Sequence, residues 1–165
     1  MPVPVARLKE LRSSPFLSAC GEEDFAALAA AMDEVPFPRD ARLYEQGAAG
    51  DALHLILSGT VGVVRTAGDA PRAAKARPLE RILAMVGPGE CVGEMALIDG
   101  EPRSATVVAV EDVVTAQLTR ARYESLRGDA RQGIRLALGL FRLVSGRIRQ
   151  VNKAMEHVHM RIYAT

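Results

Sequence analysis

The 165-residue sequence predicts a mainly β domain, a sandwich or barrel with helices at both ends. Three observations predict it. Short apolar or alternating runs recur at close spacing through the middle of the chain, each bounded by turn-forming residues. An alanine-rich amphipathic pattern precedes them, and a long pattern with regular helical steps follows them.

The elements follow in order. Residues 1–32 are expected to hold the N-terminal helices. Glu22, Glu23 and Asp24 stand ahead of Phe25, Leu28 and Met32, which puts negative charge in a first helical turn, where the macrodipole favours it. Pro36 and Pro38 then bar helix. Strand-like runs lie at 43–44, 53–57, 61–64, 81–86, 105–110 and 113–118, so residues 33–119 form the β region of a single domain. Gly47, Gly50, Asp51 and Gly59 read as turn residues between strands. His54 falls on a strand and reads as a structural histidine. Residues 65–78, rich in Ala, Gly, Pro and basic side chains, read as a long surface connection.

The run 93–107 is Gly-Glu-Met-Ala-Leu-Ile-Asp-Gly-Glu-Pro-Arg-Ser-Ala-Thr-Val. Gly93 permits close approach of the backbone to a ligand. Residues 94–98 predict a one-turn helix whose first amides, from Glu94, Met95 and Ala96, lack internal partners and attract an anion. Asp99-Gly100 ends that helix, and Pro102 stiffens the return so that Arg103 points back toward it. Arg103 can hold a phosphate by two parallel charge-assisted hydrogen bonds. Glu94 repels phosphate and suits a hydroxyl donor beside it, such as a ribose 2′-OH. Taken singly, a glutamate and an arginine at this spacing are ordinary surface charges. The ordered combination points to a sugar-phosphate receptor.

This run resembles the phosphate-binding cassette of the cyclic nucleotide-binding domain family, found in cyclic-nucleotide-gated channels, protein kinase regulatory subunits and bacterial catabolite-activator-type regulators. The resemblance extends upstream through Gly47-Ala48-Ala49-Gly50-Asp51 and residues 53–61, and covers roughly the whole chain. It implies an eight-stranded jelly-roll β-barrel with the cassette inserted between two strands. It also implies that Glu94 takes the ribose 2′-OH and Arg103 the cyclic phosphate, with the Ala96 amide adding a phosphate contact and Gly93 and Met95 completing the cassette. Val92 stands where the family usually has phenylalanine. Ser104 occupies a variable position from which a hydroxyl reaches phosphate or the exocyclic amino group of guanine, so cyclic AMP and cyclic GMP both remain candidate ligands.

Residues 120–165 are expected to be helical. Phe141, Val144, Ile148, Val151, Met155, Val158 and Ile162 recur at alternating steps of three and four, a heptad seam narrower than the stripe a globular core requires. β-Branched Val144, Val151 and Val158 in one register favour two strands, hence a parallel homodimer. The alternative is a helix folded back across its own barrel. The segment resembles the dimerisation helix of catabolite-activator-type regulators, which implies that Asn152 beside the seam reads the base and Met155 covers it. Gly133, Gly139 and Gly146 weaken the helix, as hinges or as points of close packing.

Composition narrows the function classes. Residues are 48% hydrophobic and 25% charged, ordinary for a globular protein. No apolar stretch approaches the roughly 20 residues of a membrane span, and no secretory signal pattern opens the chain, so no membrane partner and a cytoplasmic location are expected. Cys20 and Cys91 fit a reducing compartment. The three histidines lack metal-binding spacing, and no nucleophile–base arrangement is evident, so neither a metal nor a catalytic cofactor is expected, and the reading is a binding module, not an enzyme. Residues 1–119 carry 11 basic and 17 acidic side chains, a balance of −6. Residues 120–165 carry 10 and 3, a balance of +7. The basic segment reads as a solvated helix face, or as a contact for an acidic partner or for nucleic acid. Three outputs stand open: a sensor read by a downstream effector protein, the sensor half of a transcription regulator, or a ligand-free scaffold. No helix-turn-helix pattern occurs up to Thr165, so nucleic acid binding is not expected without an additional domain.

Overall fold

The computed structural model describes residues 1–66 and 80–163, with side chains described for 1–65 and 81–155. Helices α1 (Val5–Glu10) and α2 (Glu22–Ala31) lead into strands β1 (Asp33–Phe37), β2 (Arg42–Tyr44), β3 (Ala52–Ser58), β4 (Val61–Thr66), β5 (Glu80–Val86) and β6 (Cys91–Val92). The short α3 (Glu94–Asp99) precedes β7 (Thr106–Ala109) and β8 (Val113–Thr119), and α4 (Arg120–Arg127) and α5 (Ala130–Tyr163) follow. The strands form two four-stranded antiparallel sheets in the orders β1-β8-β3-β6 and β2-β7-β4-β5. This is jelly-roll connectivity.

Strand β3 shows why a continuous apolar run was the right sequence to place here. Its first six residues are all buried, because both of its faces are covered. Leu53, Leu55 and Leu57 join a core shared with Leu8, Phe16, Phe25, Met32, Leu136 and Leu140, which lies between that sheet and the helices. Ile56 joins Val61, Val86, Val92, Val107 and Val113 in a second core between the sheets. The period of two along a strand sends alternate residues into the two cores.

At the N-terminus, the Gly21 amide donates to Asp24 Oδ2 (2.6 Å), satisfying one of the free amides of α2. Strand β1, hidden in the sequence by Pro36, lies at a sheet edge, where a missing amide is tolerated. The chain start shields that edge, with Val3 N bonded to Met32 O and Glu34 N to Met1 O. The predicted connection 65–78 falls, beyond Thr66, outside the described residues.

Helix α5 runs unbroken through its glycines. Gly139 is a packing point: a Cβ there would lie 2.1 Å from Phe16 O. Leu136, Leu140 and Leu143 are buried and Val144 packs beside them, so one predicted seam residue belongs to the chain's own core. The other described seam residues, Phe141, Ile148, Val151 and Met155, are exposed, and Ile134 and Leu138 extend that face toward α4. The seam side chains of Val158 and Ile162 lie outside the described ones.

The exposed basic side chains of the C-terminal segment also find partners within the chain. Arg135 pairs with Glu23 and Asp24, Arg131 with Glu23, Arg122 with Asp33, and Arg142 reaches Ser18. The basic C-terminal segment thus pairs with the acidic remainder of the same chain. Among the described residues no helix is long and apolar enough to cross a membrane.

Candidate functional site

Sequence and geometry meet at α3. Gly93 caps it with a left-handed φ of 82°, and Gly100 ends it at φ 77°. Glycine is required at 93 twice over, because a Cβ would also sit 2.3 Å from Arg103 Nη1. Gly50 is more than the turn residue the sequence suggested: a Cβ there would lie 2.0 Å from Ala96 Cβ, so the turn before β3 and the short helix touch backbone to side chain. Arg120, at the start of α4, donates to Gly50 O (3.0 Å), Leu97 O (3.3 Å) and Ala96 O. It satisfies the Leu97 carbonyl at the C-terminal end of α3 and ties the cassette to the helical segment.

Arg103 returns from Pro102 into the interior, with only 4% of its surface exposed. Its Nη1 donates to Gly93 O (2.8 Å) and its Nη2 to Ala52 O (2.6 Å). Its Cζ lies 4.1 Å from the centre of the Tyr44 ring, and Asp51 Oδ1 stands 3.9 Å from Nη2. Nε is buried and has no hydrogen-bond partner among the described residues. Burial lowers the pKa of this guanidinium, while Tyr44, Asp51 and Glu94 favour its charged form.

Glu94 is 1% exposed. A carboxylate so deep needs a cation, and Arg147 of α5 supplies it, donating to Glu94 Oε1 and also to Cys91 O. From sequence, Glu94 has only a ligand hydroxyl as partner and Arg147 falls within the basic C-terminal segment. The signal that would have found it is the requirement itself: a glutamate in an apolar run demands an arginine, and Arg147 lies one helical turn from the inward-facing Leu143 and Val144.

Arg103, Glu94 and Arg147 line one open pocket together with Tyr44, Val63 and Val92. Gly93, Glu94, Met95, Ala96, Arg103 and Ser104 all border it. Met95 and Ser104 are exposed at its edge. Asn152 is not brought there: it is exposed on α5, outside the cavity lining. Below the arginine, His54 on β3 is hydrogen-bonded through Nδ1 to Thr115 Oγ1 (3.1 Å). Burial first, and then the nearby Arg103 charge, lower its pKa to about 4, so it is neutral at physiological pH, as a structural histidine should be. Burial likewise raises both thiols, Cys20 to about 11 and Cys91 further, which leaves them protonated and unreactive.

The family model for the cyclic nucleotide-binding domain matches residues 34–129. The chain is 34% identical over 116 residues to the cyclic AMP receptor protein of Thermus thermophilus, covering 70% of this chain and 50% of that protein. It is 32% identical over 127 residues to a cAMP-dependent protein kinase regulatory subunit of Aspergillus fumigatus, covering 77% of this chain and 28% of that one. The chain therefore spans half or less of these curated relatives. Its fold superposes on the crystal structure of a cyclic nucleotide-binding domain from Methylobacillus flagellatus with a TM-score of 0.76 at 29% identity, covering 91% and 83% of the two chains. With a family match across most of the β region, a jelly roll in both sheets and the glutamate and arginine of the cassette beside one cavity, the chain belongs to the cyclic nucleotide-binding domain family.

Proposed function

We propose that the cavity binds a cyclic nucleotide, cyclic AMP or cyclic GMP, and that the domain is a regulatory sensor that switches conformation on binding, not an enzyme. The observation that carries this reading is the buried Arg103, whose Nε has no partner among the described residues and which borders a pocket shared with Glu94. Two of its five N–H groups are spent on Gly93 O and Ala52 O, which hold the side chain in place and leave the rest for an anion. A cyclic phosphate carries one negative charge and two exocyclic oxygens, matched to that fork. Glu94 is the acceptor for the ribose hydroxyl.

The switch follows from the second partner of Glu94. Its carboxylate offers about four lone-pair sites, and Arg147 uses part of them. Sugar hydroxyl and α5 therefore contact the same buried group, and a ligand that alters the Glu94–Arg147 geometry biases where α5 lies. Only such a differential contact shifts an equilibrium.

The exposed stripe Ile134, Leu138, Phe141, Ile148, Val151 and Met155 supports a homodimer through α5. In that assembly Asn152 remains the candidate base reader. A cytoplasmic location and a separate effector protein that reads the helices complete the proposal. Sedimentation of wild type and Phe141→Glu tests the dimer: a monomeric wild type at micromolar concentration rejects it. Calorimetry on nucleotide-stripped protein with cyclic AMP, cyclic GMP and a cyclic dinucleotide tests the ligand. Micromolar binding of one of the mononucleotides is expected, and binding of none leaves the scaffold reading.

A further inference from the structure

Arg103 does not lie on aliphatic packing but on an aromatic stack. Tyr44 ends β2, where the register against β7 slips between Arg42 and Tyr44, so that Tyr44 faces Val107 instead of Thr106. A bulge of this kind re-aims a side chain, and here it accompanies a ring lying against the guanidinium, 4.1 Å from centroid to Cζ. Behind Tyr44, the His54 ring lies 6.2 Å away at a tilt of 36°, and Phe37 meets His54 edge-on at 5.8 Å and 71°. His54 is itself fixed: the Thr115 hydroxyl donates to Val35 O (3.4 Å), so its oxygen accepts from His54 Nδ1–H.

Two in-plane hydrogen bonds, to Gly93 O and Ala52 O, anchor one part of the guanidinium but leave it free to rock about that anchor. A ring against one face removes that freedom. Its negative quadrupole also compensates a cation taken out of water, which an aliphatic side chain cannot do. We propose that Tyr44, braced by His54, is a positioning residue that fixes the plane of the Arg103 guanidinium for the cyclic phosphate. The proposal rests on the ligand reading above. The ring face is the working part, and the tyrosine hydroxyl is dispensable.

The test uses the full chain as wild type, Tyr44→Phe and Tyr44→Leu, with cyclic AMP calorimetry and the ¹⁵N-resolved Nε–H signal of Arg103. Tyr44→Phe should bind within about twofold of wild type, and Tyr44→Leu about tenfold more weakly, the factor a desolvated cation–ring contact supports. The ligand-free Arg103 Nε–H signal should be displaced by the ring in wild type and Tyr44→Phe, and should return toward the position of a solvated arginine in Tyr44→Leu. A Tyr44→Leu protein that binds as wild type overturns the proposal, as does a Tyr44→Phe protein as weak as Tyr44→Leu. Should Tyr44→Leu fail to fold, the wild-type and Tyr44→Phe signals still decide the stack, and an undisplaced signal in both rejects it. A wild type that binds no cyclic nucleotide while showing the displaced signal overturns the ligand reading alone and leaves the stack standing.

Discussion

Arg147→Ala removes the ion pair that joins α5 to the buried glutamate. The Glu94 side chain is 2% exposed and that of Arg147 37% exposed, so water can replace the arginine only from one side. Two charge-assisted bonds are lost, one to the carboxylate and one to the Cys91 carbonyl. Each such bond contributes about 1.5–3 kcal/mol, and partial rehydration from the open side brings the expected sum to about 2–3 kcal/mol. For a chain of this size that corresponds to a fall in Tm of roughly 5–10 °C. Thermal melts of ligand-free protein at pH 7, followed by circular dichroism, measure it. Arg147→Lys, which keeps the charge but loses the planar fork, should fall between the two. If Arg147→Ala melts within about 1 °C of wild type, Glu94 is not anchored to α5 and the route from ligand to helix fails.

Three further outcomes are expected. Gly139→Ala should destabilise, because a Cβ 2.1 Å from Phe16 O costs about 1–3 kcal/mol of overpacking, more than the roughly 1 kcal/mol gained in helix propensity. Gly146→Ala, with nothing within 4 Å among the described residues, should gain most of that propensity, and urea melts moving the two variants in the same direction would contradict the packing described. Gly50→Ala should push Ala96 aside and weaken cyclic AMP binding at least tenfold while the β-sheet signal in circular dichroism is kept; unchanged affinity would mean the cassette does not depend on that contact. Acidification tests His54. Its folded pKa of about 4 lies below the ordinary value of 6.5, so between those limits the unfolded chain binds more protons and stability falls as pH falls. His54→Gln should lose that slope, up to ~1.4 kcal/mol per pH unit, between pH 6.5 and 4; an unaltered slope would place the titration elsewhere.

Much of this architecture was legible because local chemistry and tertiary role coincide. Gly93 and Gly100 are demanded by their left-handed backbone, and the strand runs by burial, so both appear in composition and spacing alone. What stayed hidden depends on long-range partners. Strand β1 carries Pro36 and reads as a break until β8 and the chain start are seen to flank it. Strand β6 is two residues long, too short for any period. Arg147 and Glu94 are 53 positions apart, and nothing local marks either as the other's partner. Val144 fits a heptad by spacing, yet the inner face of α5 claims it, because an amphipathic helix with two apolar faces satisfies both patterns at once. The Tyr44 ring lies against Arg103 beside a register slip that no strand pattern encodes.

The most direct measurement is a calorimetric titration of cyclic AMP into nucleotide-stripped wild type and Arg103→Ala, each first shown to be folded by its melt. Loss of a bidentate charged pair at about 1.5–3 kcal/mol per bond predicts a hundredfold or greater loss of affinity. Equal affinity in the two proteins would show that the phosphate is held elsewhere, and the site described here would not be the receptor.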